Sequence, residues 1–293
     1  MKILNFGSVN IDRVFKVEAI VRPGQTISSQ GMQLFPGGKG FNQTLALAKA
    51  GAEVYHAGMI GEDGLWLEEM LEEAGADCSY LFTTDTDTGS AFIQIDAEGQ
   101  NCIVLDAGAN HKNRSELTDK VLMGFSAGDI LLLQNEINGI DYIMKKCHEK
   151  GMTVVLNPSP MNDALLACPL ECVDWFVMNE DEGMRLTGKE SSTDILDSVE
   201  KNYPGTSVVL TLGSEGAVAM HRAERYTQGA YKTNVVDTTG AGDTFTGYFL
   251  AFLAKGEPIA KCLDAAARAA SIAISRMGAG TSIPEIGEVF CEE

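Results

Sequence analysis

Strand-like runs alternate with helical patterns along most of the chain. The strand-like runs are short and largely apolar, as is typical of strands buried on both faces of a parallel sheet. They cover residues 3–9, 54–60, 130–133, 153–156, 175–178 and 207–212. Helical spacing of apolar residues covers 40–50, 65–74, a segment ending near 150, one starting at 180, and two long segments at 241–254 and 258–277. This alternation predicts an α/β fold with a doubly wound, mostly parallel sheet flanked by helices.

Two segments interrupt the alternation and predict a small second sheet. Residues 11–35 are strand-prone and rich in turn residues. Residues 88–96 and 101–105 are strand-like runs joined by a short turn, which predicts a hairpin. Both interruptions begin and end near predicted strand ends, where open α/β sheets bind ligands. We therefore predict a β-sheet lid within a single domain. The lid would comprise about residues 12–36 and 88–108 of a domain spanning 1–293.

Acidic residues outnumber basic ones. The 293 residues include 41 Asp and Glu against 22 Lys and Arg, the formal net charge is −19, and no basic run interrupts this acidity. Nucleic acid and anionic membranes are therefore poor partners. If such a protein binds a polyanion such as a nucleotide, it needs local positive potential from helix N-termini, a metal ion or a few selected Lys and Arg side chains.

Cysteine usage and the N-terminus indicate a cytoplasmic protein. Seven cysteines, an odd number, occur without CxxC spacing, as expected for reduced thiols. The chain starts in a strand-like run without the basic region and cleavage site of a signal peptide. No apolar run is long enough for a membrane span.

The most specific chemistry lies in Asp237-Thr238-Thr239-Gly240-Ala241-Gly242-Asp243-Thr244-Phe245. An apolar helical pattern starts at Phe245, so Gly240 to Gly242 should lie at a helix N-terminus, where free backbone N–H groups bind phosphate. The glycines allow a ligand to approach the backbone, and Asp243 would lie beside any transferring phosphoryl group. An Asp-capped turn before a core helix fits the same residues.

Polar groups also lie in three further motifs. Asn10 and Asp12 share one side of an extended segment, where they could grip adjacent hydroxyls of a polyol or close an Asx turn. The segment 36–43 places three glycines and a lysine before a helix, and a turn with a solvated lysine would look the same. Asn179 and Glu182 follow an apolar strand and could organise waters around phosphate-bound Mg²⁺, or complement the helix dipole.

Nucleotide binding is indicated only weakly by individual motifs. Residues 211–216 turn through two glycines after a strand and could line a nucleotide or form a hairpin turn. The segment 183–189 approaches a P-loop, but Glu190 replaces the Ser or Thr that would hold Mg²⁺, and no GxGxxG follows the first strand. The four histidines share no spacing, so we interpret them as structural or surface residues.

Taken together, the chain resembles the ribokinase-like superfamily of carbohydrate kinases. The resemblance rests on the order of Gly7-Ser8-x-Asn10-x-Asp12, Gly37-Gly38-Lys39-Gly40-x-Asn42-Gln43, Asn179-x-x-Glu182, Thr211-Leu212-Gly213-Ser214 and the 237–245 stretch. It spans nearly every residue, and the first two motifs point to the ribokinases within the superfamily. It implies an α/β domain with a β-sheet lid that often forms a dimer interface. The implied reaction is ATP-dependent phosphorylation of a sugar primary hydroxyl, with D-ribose giving ribose 5-phosphate.

The resemblance also implies residue roles by matching motif positions. Asp243 would be the catalytic base, with Gly240, Ala241 and Gly242 as the anion hole. The sugar hydroxyls would contact Asn10, Asp12, Gly38, Lys39, Asn42 and Glu136 as well as Asp243. Asn179 and Glu182 would organise Mg²⁺ and phosphate, and ATP would contact Thr211, Gly213, Ser214 and Gly216. A monovalent cation, K⁺, would bind mostly to backbone carbonyls at Asp237, Thr239, Ala273, Arg276, Gly278 and Ser282.

Two positions depart from the superfamily pattern. Phe41 stands where many members have a small residue, and it could narrow the sugar pocket or pack within the helix. Ala267 stands where an Asn or His commonly meets the adenine edge, which leaves base selectivity open. Two other functions stay open as well: phosphorylation of another sugar, a sugar acid or a nucleoside, and non-catalytic sugar binding, against which the retained Asp243 argues.

Overall fold

In the computed structural model, which describes residues 1–290, the strands form two sheets. The strands are β1 (Ile3–Phe6), β2 (Asn10–Lys16), β3 (Gly31–Gly37), β4 (Val54–Gly61), β5 (Asp77–Thr84), β6 (Gly89–Ile95), β7 (Asn101–Asp106), β8 (Ile130–Gln134), β9 (Thr153–Asn157), β10 (Trp175–Asn179), β11 (Ser207–Thr211), β12 (Ala217–His221) and β13 (Glu224–Gln228). The α-helices are α1 (Lys39–Lys49), α2 (Leu65–Glu73), α3 (Ser115–Leu122), α4 (Ile140–Glu149), α5 (Asp163–Leu166), α6 (Glu180–Thr187), α7 (Ser192–Asn202), α8 (Ala241–Ala254), α9 (Ile259–Ala273) and α10 (Ile286–Val289).

The central sheet has nine strands in the order β13-β12-β11-β10-β9-β8-β1-β4-β5. Pairing is parallel from β11 to β5, and β12 and β13 add an antiparallel hairpin at one edge. Ile3 and Val155 face one buried cluster, which includes residues of α1, α2, α8 and α9. Leu4 and Leu156 face a second cluster, with residues of α3, α4 and α7. Helices therefore cover both faces of the sheet, which confirms the predicted doubly wound fold.

The small sheet has four strands in the order β3-β2-β6-β7. The β6–β7 pair is antiparallel, which confirms the predicted hairpin, and β2 pairs antiparallel with β3 and parallel with β6. Asn10, the first residue of β2, pairs with Gly37 on one side and Gly89 on the other. Since Gly37 leads directly into α1, this end of the small sheet adjoins the central sheet.

One predicted helix is shorter than its apolar pattern suggested. The pattern extends over residues 258–277, but α9 ends at Ala273. The carbonyl of Ile274 accepts hydrogen bonds from the amides of Val236 and Asp237 at 2.8 and 3.2 Å, and Gly278 takes a φ of +89°. The chain therefore leaves the helix to pack against the segment that precedes α8.

Several elements have no counterpart in the sequence prediction, among them β5 and α3. In β5 only Cys78 and Leu81 are buried, and its apolar run, Tyr80 to Phe82, is shorter than those of the other central strands. The second element is α3, a helix of eight residues whose pattern is too short to stand out.

The six cysteines within residues 1–290 are free thiols, and Cys291 lies outside the described residues. None of the helices in that part of the chain combines the length and apolar character needed to cross a lipid bilayer.

Candidate active site

The N-terminus of α8 forms an open cradle of backbone amides. Gly240, the N-cap, has a φ of +76°, and a Cβ there would lie 2.9 Å from the Cα of Ala279, so both conformation and packing require glycine. The Ala241 amide donates to the carbonyl of Thr238 at 3.2 Å. Within residues 1–290, the amides of Gly242 and Asp243 have no acceptor. They remain available to an anion.

This cradle lines a cavity of about 240 Å³. The cavity brings together residues from distant parts of the chain. Its polar lining includes Lys39, Asn157, Asn179, Glu182, Thr211, Thr238 and Asp243. The loops after β9, β10 and β11 and the starts of α1 and α8 therefore converge at the carboxyl edge of the central sheet, where α/β folds bind ligands.

Asp243 is fixed by two amide side chains of α1. Its exposed fraction is 7%. Asn42 donates from Nδ2 to Oδ2 at 3.1 Å, and Gln43 donates from Nε2 to Oδ1 at 2.8 Å. The side chain caps no amide of its own helix, since Gly240 is the N-cap and has no side-chain capping bond. The Asp-capped turn is formed by Asp237, which accepts from the Thr239 amide before α8, whereas each carboxylate oxygen of Asp243 keeps acceptor capacity for a ligand.

Lys39 supplies the local positive charge that the acidic composition requires. Burial alone would lower its pKa, but the negative charges of Asp243, Glu136 and Glu182 outweigh burial and raise the pKa above its ordinary value. The ammonium group is therefore protonated at neutral pH. Lys39 lines the cavity together with Asp243.

Glu136 ties the start of α1 to the segment between β1 and β2. Its Oε2 accepts hydrogen bonds from the Lys39 amide at 2.9 Å and from the Ser8 hydroxyl at 2.5 Å. Gly38 is the N-cap with a φ of +89°, and a Cβ there would approach the Asn10 amide at 3.0 Å. The glycines of the 36–43 motif thus let β1, β2 and α1 pack closely.

Asn10 and Asp12 lie at the end of the small sheet that adjoins this site. Asn10 Oδ1 accepts a hydrogen bond from Asn110 Nδ2 at 2.7 Å, which leaves its own amide N–H groups for a ligand. Burial, followed by the nearby charge of Glu136, raises the pKa of Asp12 to about 7. Asp12 makes no side-chain hydrogen bond within the described part of the chain. A half-buried carboxyl group without a partner can receive ligand hydroxyls.

One chain of charges connects Asp12 to Asp243. Asp12 interacts with Glu136, and Lys39 interacts with both Glu136 and Asp243. These interactions lead from Asp12 on the small sheet to Lys39 and Asp243, which line the cavity, whereas the other predicted sugar residues lie outside its lining.

Asn179 and Glu182 form a capping box at the start of α6. Asn179 Oδ1 accepts from the Glu182 amide at 2.8 Å, and Glu182 Oε2 accepts from the Asn179 amide at 3.0 Å. The helix-stabilising interpretation is therefore confirmed. Both residues also line the cavity, and Glu182 Oε1 takes no part in the capping.

The predicted nucleotide residues separate into two groups. Thr211 ends β11 and lines the cavity, but Gly213, Ser214 and Gly216 are outside its lining. Gly216 has a φ of +102°, and a Cβ there would lie 2.0 Å from the carbonyl oxygen of Gln228. This glycine is required by the hairpin that it starts, whatever it binds.

The predicted monovalent-cation residues surround the turn after α9. Asp237 accepts hydrogen bonds from the amide and hydroxyl of Thr239 at 2.9 and 2.6 Å and from the Gly278 amide at 2.9 Å. Burial would raise the pKa of Asp237, but these hydrogen bonds outweigh it and lower the pKa. Ser282 is fully buried nearby, and its hydroxyl donates to the carbonyl of Ala279 at 2.8 Å.

The chemistry of this turn fits a hard cation in part. The candidate donors are a charged carboxylate, carbonyl oxygens and a hydroxyl, the ligand types that hard cations prefer. The Arg276 side chain forms an ion pair with Glu288 at 2.5 Å, so only its backbone, with that of Ala273, could contribute. Within the described chain, no three His, Cys, Asp or Glu side chains form a metal-binding cluster. Any cation here would depend on backbone oxygens.

Sequence reasoning missed several polar residues of the site. Asn157 lines the cavity and accepts a hydrogen bond from Gln43 at 3.1 Å, and Gln134 donates to Gln43 at 2.7 Å. Gln134 and Asn157 are paired ends of β8 and β9, as Asn179 and Thr211 are of β10 and β11. Each is the first polar residue after an apolar run, a signal that could have located them.

Phe41 packs in the core. It is fully buried, and its Cε1 lies 3.3 Å from the position of a Cβ on Gly280. The interpretation as a packing residue is therefore confirmed. Ala267 is buried in the same cluster.

Comparison with known proteins gives full-length matches. A family model described as pfkB family carbohydrate kinase matches residues 1–286. The chain is 34% identical to ribokinase of Staphylococcus aureus (strain COL), with 98% of each chain covered. It is similar to the crystal structure of ribokinase from Cryptococcus neoformans var. grubii serotype A in complex with ADP, with a TM-score of 0.88, 34% identity and 98% of each chain covered. A structure of Arabidopsis thaliana ribokinase complexed with ribose and ATP has a TM-score of 0.84 and 31% identity, covering 98% of this chain and 96% of that one.

Proposed function

The chain belongs to the pfkB family of carbohydrate kinases, and on this premise we propose that it transfers the γ-phosphoryl group of ATP to the primary hydroxyl of D-ribose, forming ribose 5-phosphate. The observation that carries the proposal is the position of Asp243. Its carboxylate is held by two amides of α1 directly beside the unpaired amides of α8. A base and an anion cradle thus share one cavity.

Asp243 would accept the proton of the attacking hydroxyl. Phosphoryl transfer passes through a loose transition state, so the protein contributes mainly positioning and charge stabilisation, and the base can act late. The amides of Gly242 and Asp243 would donate to the oxygens of the transferred group, where charge is stabilised. Lys39 would add a positive charge on the sugar side of the cavity.

The sugar would bind between the small sheet and the start of α1. Asn10 has free amide donors, and Asp12 and Glu136 have acceptor oxygens for adjacent hydroxyls. Asn42 would contact the sugar beside Asp243, together with Lys39 and the backbone of Gly38. We propose that the small sheet acts as the lid of this pocket and closes on sugar binding.

Two cations would assist. Asn179 and Glu182 fit Mg²⁺ bound through waters and ATP phosphates, since Glu182 keeps one carboxylate oxygen outside the capping box. Mg²⁺ would neutralise charge on the phosphates. K⁺ would bind at the turn that contains Asp237, Gly278 and Ser282. It would stabilise that turn, against which Gly240 packs through Ala279.

We also propose a homodimer formed through the small sheet. Its strands expose large apolar side chains, and β7 is exposed along its whole length. The exposed apolar residues are Met32, Leu34, Phe92, Ile103, Val104 and Leu105. An apolar sheet surface of this kind favours association. We place the enzyme in the cytoplasm, which the free thiols support.

An acceptor panel tests the function. ADP release would be measured with D-ribose, 2-deoxyribose, fructose, a sugar acid and a nucleoside, with and without Mg²⁺ and K⁺. We expect the highest kcat/KM with D-ribose, a product phosphorylated at the 5-hydroxyl, and no reaction without Mg²⁺. Preference for a nucleoside or another sugar would replace the proposed substrate. Ribose binding without ADP release by any acceptor would indicate a non-catalytic sugar-binding protein.

A further inference from the structure

The carboxylate of Asp243 is one end of a buried chain of side-chain amides. We propose that Gln134 is a positioning residue for catalysis, because it fixes the orientation of the Gln43 amide that holds Asp243. This inference rests on the proposed function, in which Asp243 is the base. Gln134 has no direct hydrogen bond to Asp243, so it would act only through Gln43.

Gln43 uses both of its N–H groups on the active-site side. Its Nε2 donates to Asp243 Oδ1 at 2.8 Å and to Asn157 Oδ1 at 3.1 Å. A primary amide has two N–H donors on nitrogen and only acceptors on oxygen. If the Gln43 amide turned over, a carbonyl oxygen would face two acceptor oxygens. The position of Asp243 therefore depends on which way this amide points.

The direction of the amide chain is fixed by backbone carbonyls at both ends. Asn157 Nδ2 donates to the carbonyl of Val177 at 2.8 Å, and Asn5 Nδ2 donates to the carbonyl of Gly40 at 2.8 Å. Because carbonyls only accept, Asn157 and Asn5 must present their Oδ1 atoms inward. Each Oδ1 then requires a donor from the middle of the chain.

Gln134 is the donor that meets this requirement from the Asn5 side. Its Nε2 donates to Asn5 Oδ1 at 3.0 Å and to Gln43 Oε1 at 2.7 Å. With Oε1 of Gln43 engaged in this way, Nε2 of Gln43 must point to Asp243. The carbonyl of Gly40 thus fixes the orientation of the Asn5 amide, which in turn fixes the amides of Gln134 and Gln43.

This arrangement leaves one polar atom of Gln134 without a hydrogen bond. Its Oε1 is buried and has no hydrogen-bond partner within residues 1–290. A buried acceptor without a partner destabilises the fold, and an apolar side chain would avoid that cost. This cost offsets part of what the two hydrogen bonds of Gln134 contribute to stability.

The Asn5 end of this row of side-chain amides does not change charge at neutral pH. Asn5 Nδ2 also donates to the Thr44 hydroxyl at 2.7 Å, which lies 2.7 Å from His56 Nδ1. Burial lowers the pKa of His56 to about 4, so the imidazole is neutral and can accept from Thr44. The amide chain therefore keeps one polarity over the pH range of a cytoplasmic enzyme.

The first test is Gln134→Met, which removes the donor at similar volume and leaves every substrate-facing residue in place. We expect kcat with D-ribose to fall about 10- to 100-fold, because a displaced base acts inefficiently, while KM for ribose and ATP stays within about twofold. The matched control is Thr206→Val. It removes one buried hydrogen bond, from Thr206 to the carbonyl of Val173. Thr206 directly precedes β11, at the opposite end of that strand from Thr211, which lines the cavity. It should lower stability and leave kcat unchanged. An unchanged kcat in Gln134→Met would overturn the inference, as would a loss confined to KM.

The second test needs no activity, and its first part needs no variant. In the wild-type protein without substrates, the side-chain amide hydrogens of Gln43 should exchange with solvent far more slowly than those of exposed Gln100, as measured by NMR on ¹⁵N-glutamine-labelled protein. Gln134→Met should speed the exchange at Gln43. Equal exchange at Gln43 and Gln100 would overturn the inference. Failure of the proposed function would appear separately, as a wild-type protein without ribose-dependent ADP release.

Discussion

The carboxyl edge of the central sheet and the small sheet are built in contrasting ways. At the carboxyl edge, buried side chains fix one another by hydrogen bonds, as Gln43 does with Asp243 and Asn157. The small sheet is more exposed, since every residue of β7 is exposed, and side-chain contacts fix it mainly at its base. Asp63 Oδ1 accepts from the amide and hydroxyl of Thr88 at 2.9 and 2.7 Å, and its Oδ2 lies 3.7 Å from Arg13. The difference agrees with our proposal that the small sheet is a lid beside a fixed catalytic site.

The largest effect is expected from removing the charge of Asp243 at the carboxyl edge of the central sheet. Asp243→Asn should reduce kcat by about 10² to 10⁴, because a positioned base is lost, while ribose affinity is largely kept. Coupled ADP release and calorimetric titration with ribose measure the two quantities. Asp197→Asn, the same change at an exposed ion pair with Arg225, serves as the control and should leave both unchanged. Turnover near the wild-type rate would remove Asp243 from its role.

The second prediction fills the anion cradle. A Cβ on Gly242 meets no atom within 4 Å, so Gly242→Val should fold while its side chain occupies the phosphate position. Loss of an oxyanion donor elsewhere costs about 10² to 10³ in rate, and we expect at least this loss of kcat. Gly229→Ala, at another glycine with open surroundings, is the control for folding. Retained kcat in a folded Gly242→Val protein would place the phosphate elsewhere.

The third prediction concerns the small sheet and states that ribose affinity depends on pH through Asp12. Because the pKa of Asp12 is raised to about 7, its carboxylate is increasingly protonated as the pH falls below that value. The charged form accepts hydroxyl hydrogen bonds better, so the Kd for ribose should rise by up to about tenfold between about pH 8 and about pH 6. Calorimetric titration across this range measures it, and Asp12→Asn should abolish the dependence. A flat profile in the wild-type protein would exclude this role for Asp12.

The same shift has a consequence for the free protein. The folded state binds the Asp12 proton more tightly than the unfolded state, so this group makes the free energy of unfolding fall as the pH rises from about 4 to about 7. Asp12→Asn should remove that loss, and denaturant unfolding at the two ends of the range measures it.

The smallest effect concerns the attachment of the small sheet. Asp63→Ala removes the contacts to Thr88 and Arg13, and it should weaken ribose binding about fivefold, the loss of roughly one hydrogen bond. Hydrogen exchange in residues 12–36 and 88–108 should be faster in this variant and slower in wild-type protein with ribose. Asp96→Ala is the control, since Asp96 caps only the β6–β7 turn at the amides of Glu98 and Gln100. Exchange unaffected by ribose would argue against a lid.

The fold could be predicted because its strands are apolar runs with helical patterns between them. Residues 130–133 and 175–178 are buried on both faces of the sheet. They are therefore continuous apolar runs, which the sequence shows directly. The edge strand β5 was missed because its apolar run is short and only two of its residues are buried. The last turns predicted for α9 were wrong because Ile274 bonds to Val236 and Asp237, a tertiary contact that local periodicity does not contain.

The candidate site was predictable where motifs are local and unpredictable where contacts are remote. The glycines before α8 and the carboxylate of Asp243 lie in one short stretch, so their proximity follows from the sequence. Gln134 contacts residues 91 and 129 positions away, and the pairing of β8 with β1 together with the packing of α1 on these strands brings them together. For Asn179 and Glu182 the sequence allowed two roles, and their capping box and their place on the cavity wall are compatible with both.

The most direct test of the central claim is a crystal structure with D-ribose and a non-hydrolysable ATP analogue. We expect the 5-hydroxyl oxygen of ribose to lie about 2.6 to 3.2 Å from a carboxylate oxygen of Asp243, with the γ-phosphate at the amides of Gly242 and Asp243. A ribose bound with its 5-hydroxyl remote from Asp243, or held by a different base, would contradict the account.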